Sequence, residues 1–169
     1  MKKLGILLFS MVFCLSFAGI VWAQNDIQNH PACKYCGMDR AKFAHSRVFI
    51  QNDDGTTEGT CSLHCAAVDL ALNIDKTPKA IMVGDFYTKN LIDVERAFWV
   101  IGGNKMGVMT KRAKWAFEKQ EDADKFVKEN GGVMANFDEA MKGAYEDMYA
   151  DTKMIREKRK MAKMGHKHH

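Results

Sequence analysis

The sequence predicts an α/β protein of the α+β kind, in which two similar small ββαβ units share a core and a C-terminal helix follows. The order strand, strand, helix, strand can be read twice along the chain, and no Ser- or Gly-rich linker separates the two readings. The 169 residues suffice for a real core but not for a large architecture. With 47% apolar and 27% charged residues, the chain is expected to fold as a globular body.

The first 23 residues are typical of an export signal. Lys2 and Lys3 precede an apolar run from Leu4 to Phe17, and residues 21–23 resemble a small-x-small cleavage site. We expect cleavage before Gln24 and residence in the periplasm or at the outer face of the cell envelope. Removal of both lysines lowers the formal net charge from +4 to +2, which argues against nucleic-acid binding through overall charge.

Lipid attachment at Cys14 is not expected, because a lipoprotein signal needs a small residue before the modified cysteine and Phe13 stands there. The uncharged stretch from Leu4 to Gln24 approaches the length of a spanning helix, so a retained membrane anchor is the alternative to cleavage. Export places the other four cysteines in an oxidising compartment. A structural disulfide therefore competes with every metal-binding interpretation.

The first ββαβ unit is expected within residues 24–95. Its predicted elements are strands at 46–52 and 56–60, a helix at 62–72 and a strand at 80–87. The first two strands form a hairpin, because Asp53-Asp54-Gly55 between them is typical of a turn. Apolar residues three and four positions apart predict the helix, with Ser62 as its cap.

The second unit is expected within residues 96–150 and repeats this order. Its predicted elements are strands at 97–101, 113–117 and 133–137, a helix at 121–130, and a last helix at 138–149. Gly102-Gly103 and Gly131-Gly132 provide the breaks between elements. The remaining segment, 151–169, is a basic tail rich in Met and His. Its charge run is typical of a solvated helical face. Its His-rich end is compatible with weak capture of copper or nickel and equally with an inert tail.

Three sulfur side chains lie close together between Cys33 and Met38, before the first strand. A Cys-x-x-Cys turn made by Cys33 and Cys36 can aim both thiolates at one metal, and Gly37 allows the backbone to wrap so that Met38 approaches. Thiolate together with thioether favours a soft cation, of which copper(I) is the commonest in biology. A disulfide, structural zinc and disulfide exchange remain alternatives, because Cys-x-x-Cys serves all of them.

A second pair of cysteines, Cys61 and Cys65, lies at the predicted start of the first helix. Residues four apart on a helix share a face, so both thiols can join one site with His64 beside them. Together with Cys33 and Cys36 they make four thiols, enough for a tetrahedral zinc centre. For this pair a disulfide or two core thiols are equally compatible with the spacing, and His64 by itself is typical of a surface histidine.

The Gly-rich loop 102–109 carries Met106 and Met109 between two predicted strands. Exposed methionines on such a loop are unusual, because Met more often fills cores. From spacing alone, a packing role is the preferred interpretation of both.

Several motifs occur in an order that resembles the NosL family. They are Cys-Gly-Met at 36–38, Gly-x-Met at 107–109, Ala-x-x-Phe at 123–126, and Gly131-Gly132 followed by a phenylalanine turn. The resemblance covers most of the chain from Cys33 to Met148. NosL proteins are exported copper(I)-binding accessory proteins associated with assembly of the copper centres of nitrous oxide reductase. Their fold of two ββαβ units agrees with the repeat predicted here.

The resemblance implies copper(I) contacts from three residues, Cys36, Met38 and Met109, with the metal between the two units. It implies no role for the other thiols, so we expect replacement of Cys61 and Cys65 to weaken copper(I) binding less than replacement of Cys36. The implied function is that of a metallochaperone. It would pass copper by ligand exchange to an acceptor such as nitrous oxide reductase or its assembly machinery.

No motif predicts a catalysed reaction, since the sequence has neither a Ser, His and carboxylate spacing for acyl transfer nor a phosphate-binding glycine loop. Two other classes of function remain as alternatives to the carrier. One is a zinc-stabilised binding module that uses all four thiols. The other is a thiol-disulfide oxidoreductase using Cys33 and Cys36, which would need a reactive thiolate at a helix N-terminus after a strand.

Overall fold

The computed structural model describes residues 22–165. Residues 1–21 of the expected 23-residue leader lie outside this range, as does the histidine-rich end from residue 166. The helices within it are α1 (Trp22–Asn29), α2 (Leu63–Leu72), α3 (Gln120–Asn130) and α4 (Phe137–Gly165). None of these helices is both long and apolar enough to cross a bilayer.

The strands of this range form two antiparallel sheets. They are β1 (Val48–Asn52), β2 (Thr57–Thr60), β3 (Pro78–Gly84), β4 (Leu91–Asp93), β5 (Phe98–Ile101), β6 (Lys114–Phe117) and β7 (Val133–Ala135). The first sheet has the order β2-β1-β3-β4, and the second has the order β6-β5-β7. The structure is therefore of the predicted α+β class.

The two sheets share one topology, which confirms the predicted ββαβ repeat. In the first sheet β1 lies between its hairpin partner β2 and β3, the strand that follows α2. In the second, β5 lies between β6 and β7, the strand that follows α3. The hairpin turns at the predicted place, where Gly55 adopts φ +82°. Only β4 has no counterpart in the second sheet; it is short and was not predicted.

The two units also share a core, as predicted. Buried side chains from both meet in one cluster: Val48, Ile50, Ala66, Val83, Trp99, Ala116, Ala140 and Ala144 are among its members. The units are further joined where Asp85 forms a parallel bridge with Ala116. There the Asp85 carboxylate accepts a hydrogen bond from the Glu118 N–H at 2.8 Å. These contacts give the units one fixed arrangement, which a site between them requires.

Strand β3 ends at Gly84 rather than at the predicted Tyr87. The reason is the carboxylate of Asp85, which turns back to accept the N–H groups of Tyr87 and Thr88 at 3.0 and 2.6 Å. Such a local side-chain to backbone turn competes with continued strand pairing. Ser62 holds the predicted N-cap position of α2, but its hydroxyl makes no capping hydrogen bond.

Helix α4 is longer than predicted and continues across residue 151, where a separate tail was expected to begin. Asp151 is buried and accepts a hydrogen bond from the N–H of Lys111 at 3.0 Å. This contact ties the second half of the helix to the loop before β6. Side chains from Arg156 to Met164 are exposed, so the expectation of a solvated helical face fits this last part.

Helix α1 was not predicted, and a buried charge network holds it in place. Asp26 Oδ2 accepts hydrogen bonds from Arg40 Nη2 and Arg47 Nε, each at 2.8 Å. Arg40 also donates to the carbonyls of His30 and Thr60 at 2.8 and 3.1 Å. The three charged side chains are nearly inaccessible to solvent. The network therefore connects α1 to the end of β2, which leads into Cys61.

Candidate metal centre

The segment from Cys33 to Met38 forms a tight turn with its ends paired. The Cys33 N–H donates to the Met38 carbonyl at 2.8 Å, and the Gly37 N–H donates to the Cys33 carbonyl at 2.9 Å. Gly37 adopts φ +75°, a conformation that favours glycine. The backbone thus wraps as the sequence predicted. It leads from this turn into further turns rather than into a helix, unlike the arrangement expected of a thioredoxin-like thiol.

Backbone and side-chain contacts connect this turn to the first unit. The Lys34 N–H donates to the Gly59 carbonyl of β2 at 3.1 Å. The Tyr35 hydroxyl donates to Asp69 Oδ1 of α2 at 2.5 Å, and the Lys34 ammonium lies 3.2 Å from the same oxygen. Because β2 and α2 flank Cys61, these contacts bring the two cysteine pairs together.

The four thiols form one cluster. The Sγ atoms of Cys33, Cys36, Cys61 and Cys65 all lie within 4.8 Å of one another. Cys61 Sγ is 3.4 Å from Cys36 Sγ and 3.8 Å from Cys65 Sγ. A tetrahedral metal with metal–sulfur bonds of about 2.3 Å needs sulfur separations of about 3.8 Å. The cluster, whose members are free thiols in the structure, has the size that a tetrathiolate metal site requires.

Hydrogen bonds among the thiols shift their pKa values in opposite directions. Hydrogen bonds from Cys36, Cys61 and Cys65 lower the pKa of Cys33. Hydrogen bonds with Cys33 and Cys36, reinforced by burial, raise the pKa of Cys61 and of Cys65. The hydrogen bond with Cys33 raises the pKa of Cys36, but those with Cys61 and Cys65 oppose it, and the net direction is down. Cys33 and Cys36 therefore lose protons more readily, whereas Cys61 and Cys65 retain theirs. A metal cation binding here would displace those protons, so metal affinity should rise with pH.

Cys36 is the member of the cluster that reaches solvent. The other three are buried, whereas Cys36 is half-buried and lines a cavity of about 780 Å³. Met38 and Met109 line the same cavity, together with Met106 and Met154. The structure therefore brings methionines of both units to the cavity that Cys36 lines.

The methionines of the loop 102–109 differ in their surroundings. Met109 is half-buried against the apolar cluster that contains the thiols, and its φ is +62°. Met106 is 83% exposed at the mouth of the cavity. The packing role expected for both methionines therefore fits Met109 in part, and it does not fit the exposed Met106.

Among the cavity residues, His45 escaped the sequence analysis, whereas Met154 and Arg159 entered it only as part of the basic Met- and His-rich tail. They come from a turn before β1 and from the far half of α4. No spacing in the sequence relates them to the cysteines, so only residue type could have drawn attention to them. Arg159 Nη2 donates to the Cys36 carbonyl at 3.4 Å, which joins the last part of α4 to the turn from Cys33 to Met38.

His64 is buried, so its interpretation as a surface histidine was wrong. Only 6% of it is exposed, and its Nδ1 lies 3.5 Å from Asp151 Oδ2 of α4. Packing of α4 against α2 covers it, a tertiary contact that the local sequence does not reveal. His64 is therefore not a member of the thiol cluster but a contact between the two helices.

We expect the metal-free, reduced protein to lose stability as the pH falls from about 7.5 to about 5.5, the range around the histidine pKa. Burial is the main cause that lowers the pKa of His30, His45 and His64 below 6.5. Around and below pH 6.5 the unfolded chain then binds more protons than the folded one, so the free energy of unfolding rises with pH. Urea unfolding at both pH values measures this change. His64→Gln should reduce the pH dependence, and equal stability at both pH values would contradict the expectation.

Comparison with known proteins supports the fold and the family. The family model for NosL matches residues 24–145. The crystal structure of the copper chaperone NosL from Shewanella denitrificans superposes with a TM-score of 0.52 at 21% sequence identity. The match covers 64% of this chain and 87% of the Shewanella chain. No curated protein sequence matches.

Proposed function

The chain belongs to the NosL family, and from that premise we propose that it is an exported copper(I) carrier that passes its metal to a copper-accepting protein. The observation that carries the proposal is the position of Cys36. Its sulfur is a member of the four-thiol cluster, and the residue also lines the cavity that contains the methionines. A metal held there is bound by soft ligands and can still be reached from outside.

The thioethers are the reason to prefer copper(I) as the cargo. The four thiols alone suit zinc or copper(I). Zinc prefers thiolate and imidazole ligands, whereas a thioether is a favourable ligand for copper(I). Met38 and Met109 beside Cys36 therefore favour copper(I), and both are neutral ligands that add no charge opposing release.

Transfer follows from the unequal burial of the thiols. Cys33, Cys61 and Cys65 are buried and hold the metal from inside, while Cys36 faces the cavity. An incoming thiolate or imidazole of the acceptor can approach Cys36 through that cavity. Met38 and Met109 can hold copper(I) while the thiolates are replaced one at a time. By family membership the acceptor we propose is nitrous oxide reductase or its assembly machinery, in the periplasm or at the outer face of the envelope.

The second candidate is a zinc-stabilised binding module. It is favoured by the sulfur separations, which suit a tetrahedral metal without any methionine. Metal analysis of protein purified under reducing, anaerobic conditions distinguishes the two. Copper supports the carrier, zinc alone supports the module, and a metal-free chain that binds neither ion on titration contradicts both.

We expect Met38→Ala and Met109→Ala each to weaken copper(I) binding by about tenfold, which corresponds to about 1.4 kcal/mol. Zinc affinity should not change, because zinc gains little from a thioether. Competition against a chromophoric copper(I) chelator gives the affinity, and circular dichroism checks that the variants fold. Met134→Ala, an exposed methionine on β7, is the matched control. Unchanged copper(I) affinity in folded Met109→Ala would reject a metal shared between the two units.

A further inference from the structure

One face of α4 carries four basic residues that the carrier mechanism does not use. Arg156, Arg159, Lys160 and Lys163 are spaced three and four positions apart, so they share one face of the helix. They also line one shallow depression together with Met164. We call these four residues the basic stripe. All four are exposed.

The charges of the basic stripe are not neutralised within the fold. Among residues 22–165, no ion pair involves any of the four side chains. The helix segment 153–165 contains six basic residues and a single acidic one, Glu157. By contrast, Arg112 earlier in the chain is paired with Glu146 and Asp147. The stripe is thus a concentrated positive surface without a carboxylate partner among residues 22–165.

The basic stripe begins at the mouth of the metal-binding cavity. Arg159 belongs to both the stripe and the cavity wall, and it donates to the Cys36 carbonyl at 3.4 Å. Guanidinium and ammonium groups have no lone pair for a metal, so the stripe cannot itself carry copper(I). Its chemistry suits a carboxylate-rich surface.

We propose that the basic stripe docks an acidic surface of the metal-accepting protein and so places that protein's ligands at the mouth of the cavity. This inference rests on the proposed carrier function. A protein surface is favoured over an anionic membrane because membrane-surface helices present an apolar face with Trp, Phe or Leu. Segment 153–165 has none of these residues. Its exposed apolar side chains include Met161 and Met164, a residue type common on adaptable protein-binding surfaces.

Docking of this kind acts mainly on the rate of encounter. Complementary charges raise association rates about 10- to 1000-fold, and the effect declines steeply with salt. The Debye length is about 30 Å at 0.01 M salt and about 3 Å at 1 M. Copper(I) transfer to an acidic acceptor should therefore be fast at low salt and lose this advantage at high salt.

The test uses the full chain and two synthetic acceptor peptides that share one Cys-x-x-Cys copper(I) site. One peptide carries a flanking run of Glu, and the other carries Gln at the same positions. We expect copper(I) transfer to the Glu peptide to be at least about tenfold faster at low salt. The combined variant Arg156→Gln, Lys160→Gln, Lys163→Gln should lose this advantage. Arg159 is left unchanged because it lines the cavity.

A matched control removes the same charge elsewhere, in the variant Lys119→Gln, Lys128→Gln, Lys142→Gln. It should keep the advantage of the Glu peptide. Equal rates for both peptides, or equal losses in both variants, would overturn the proposal. Stripe-dependent binding to phosphatidylglycerol vesicles without binding to the Glu peptide would overturn it in favour of a membrane surface.

Fluorescence anisotropy of the labelled, metal-free Glu peptide measures docking alone. Docking without copper(I) uptake would therefore retain the stripe and reject the carrier function.

Discussion

Replacement of Cys36 by alanine is expected to weaken copper(I) binding by at least about 100-fold, since even partners of metal ligands change affinity by about 10- to 100-fold. Cys36 belongs to every ligand set that the structure supports. Its Sγ lies 3.4 Å from Cys61 Sγ, and it also lines the cavity with Met38 and Met109. Anaerobic competition titration measures the affinity. Retention of copper(I) affinity in folded Cys36→Ala would contradict the proposed site.

The double variant Cys61→Ser, Cys65→Ser tests whether these two cysteines are ligands of copper(I). From the resemblance alone this pair is expected to matter less than Cys36. The structure places both sulfur atoms within 4.8 Å of Cys33 and Cys36, so we now expect a loss as large as that of Cys36→Ala. If most copper(I) affinity remains in the folded double variant, the ligands are Cys36, Met38 and Met109. The thiols of Cys61 and Cys65 would then serve packing.

Asp26→Ala is expected to lower the free energy of unfolding by about 3–5 kcal/mol, the range found when one partner of a buried ion pair is removed. The substitution leaves the guanidinium groups of Arg40 and Arg47 buried without their common carboxylate. Urea unfolding of the reduced, metal-free protein measures the loss. Arg40 also donates to the Thr60 carbonyl beside Cys61. Asp26→Ala should therefore also weaken copper(I) binding, but by less than Cys36→Ala does.

Asp54→Ala is the matched control for Asp26→Ala. Its carboxylate lies 3.6 Å from the Lys76 ammonium at the surface, in the turn between β1 and β2. The same carboxylate accepts hydrogen bonds from the Thr56 N–H and hydroxyl at 2.8 and 2.6 Å. Because all of these contacts are exposed, their removal should cost much less stability than removal of the buried Asp26 carboxylate. Similar losses of stability in the two variants would show that burial of the Asp26 network contributes little.

The repeated order of strands and helices follows from local signals in the amino-acid sequence. Alternation in β1, the Asp-Asp-Gly turn and the apolar spacing of α2 are local signals, and each element formed within a few residues of its predicted place. The sequence also singled out all four thiols, because Cys in these two spacings is an unusual pattern. Helix α1 and strand β4 escaped, because neither has a periodic apolar pattern strong enough to distinguish it from a loop.

The way in which those thiols combine depends on packing between distant parts of the chain. Cys33 and Cys36 meet Cys61 and Cys65 because the turn that carries them is bonded to β2 and α2, contacts between residues far apart in sequence. Asp26, Arg40 and Arg47 are a second example. Their residue types predict exposure to solvent, but their pairing with one another allows all three to be buried. The cavity wall needs residues from both units and from α4. Local periodicity reports the face that an element presents, whereas the position of that face against distant elements depends on the packing of the whole chain.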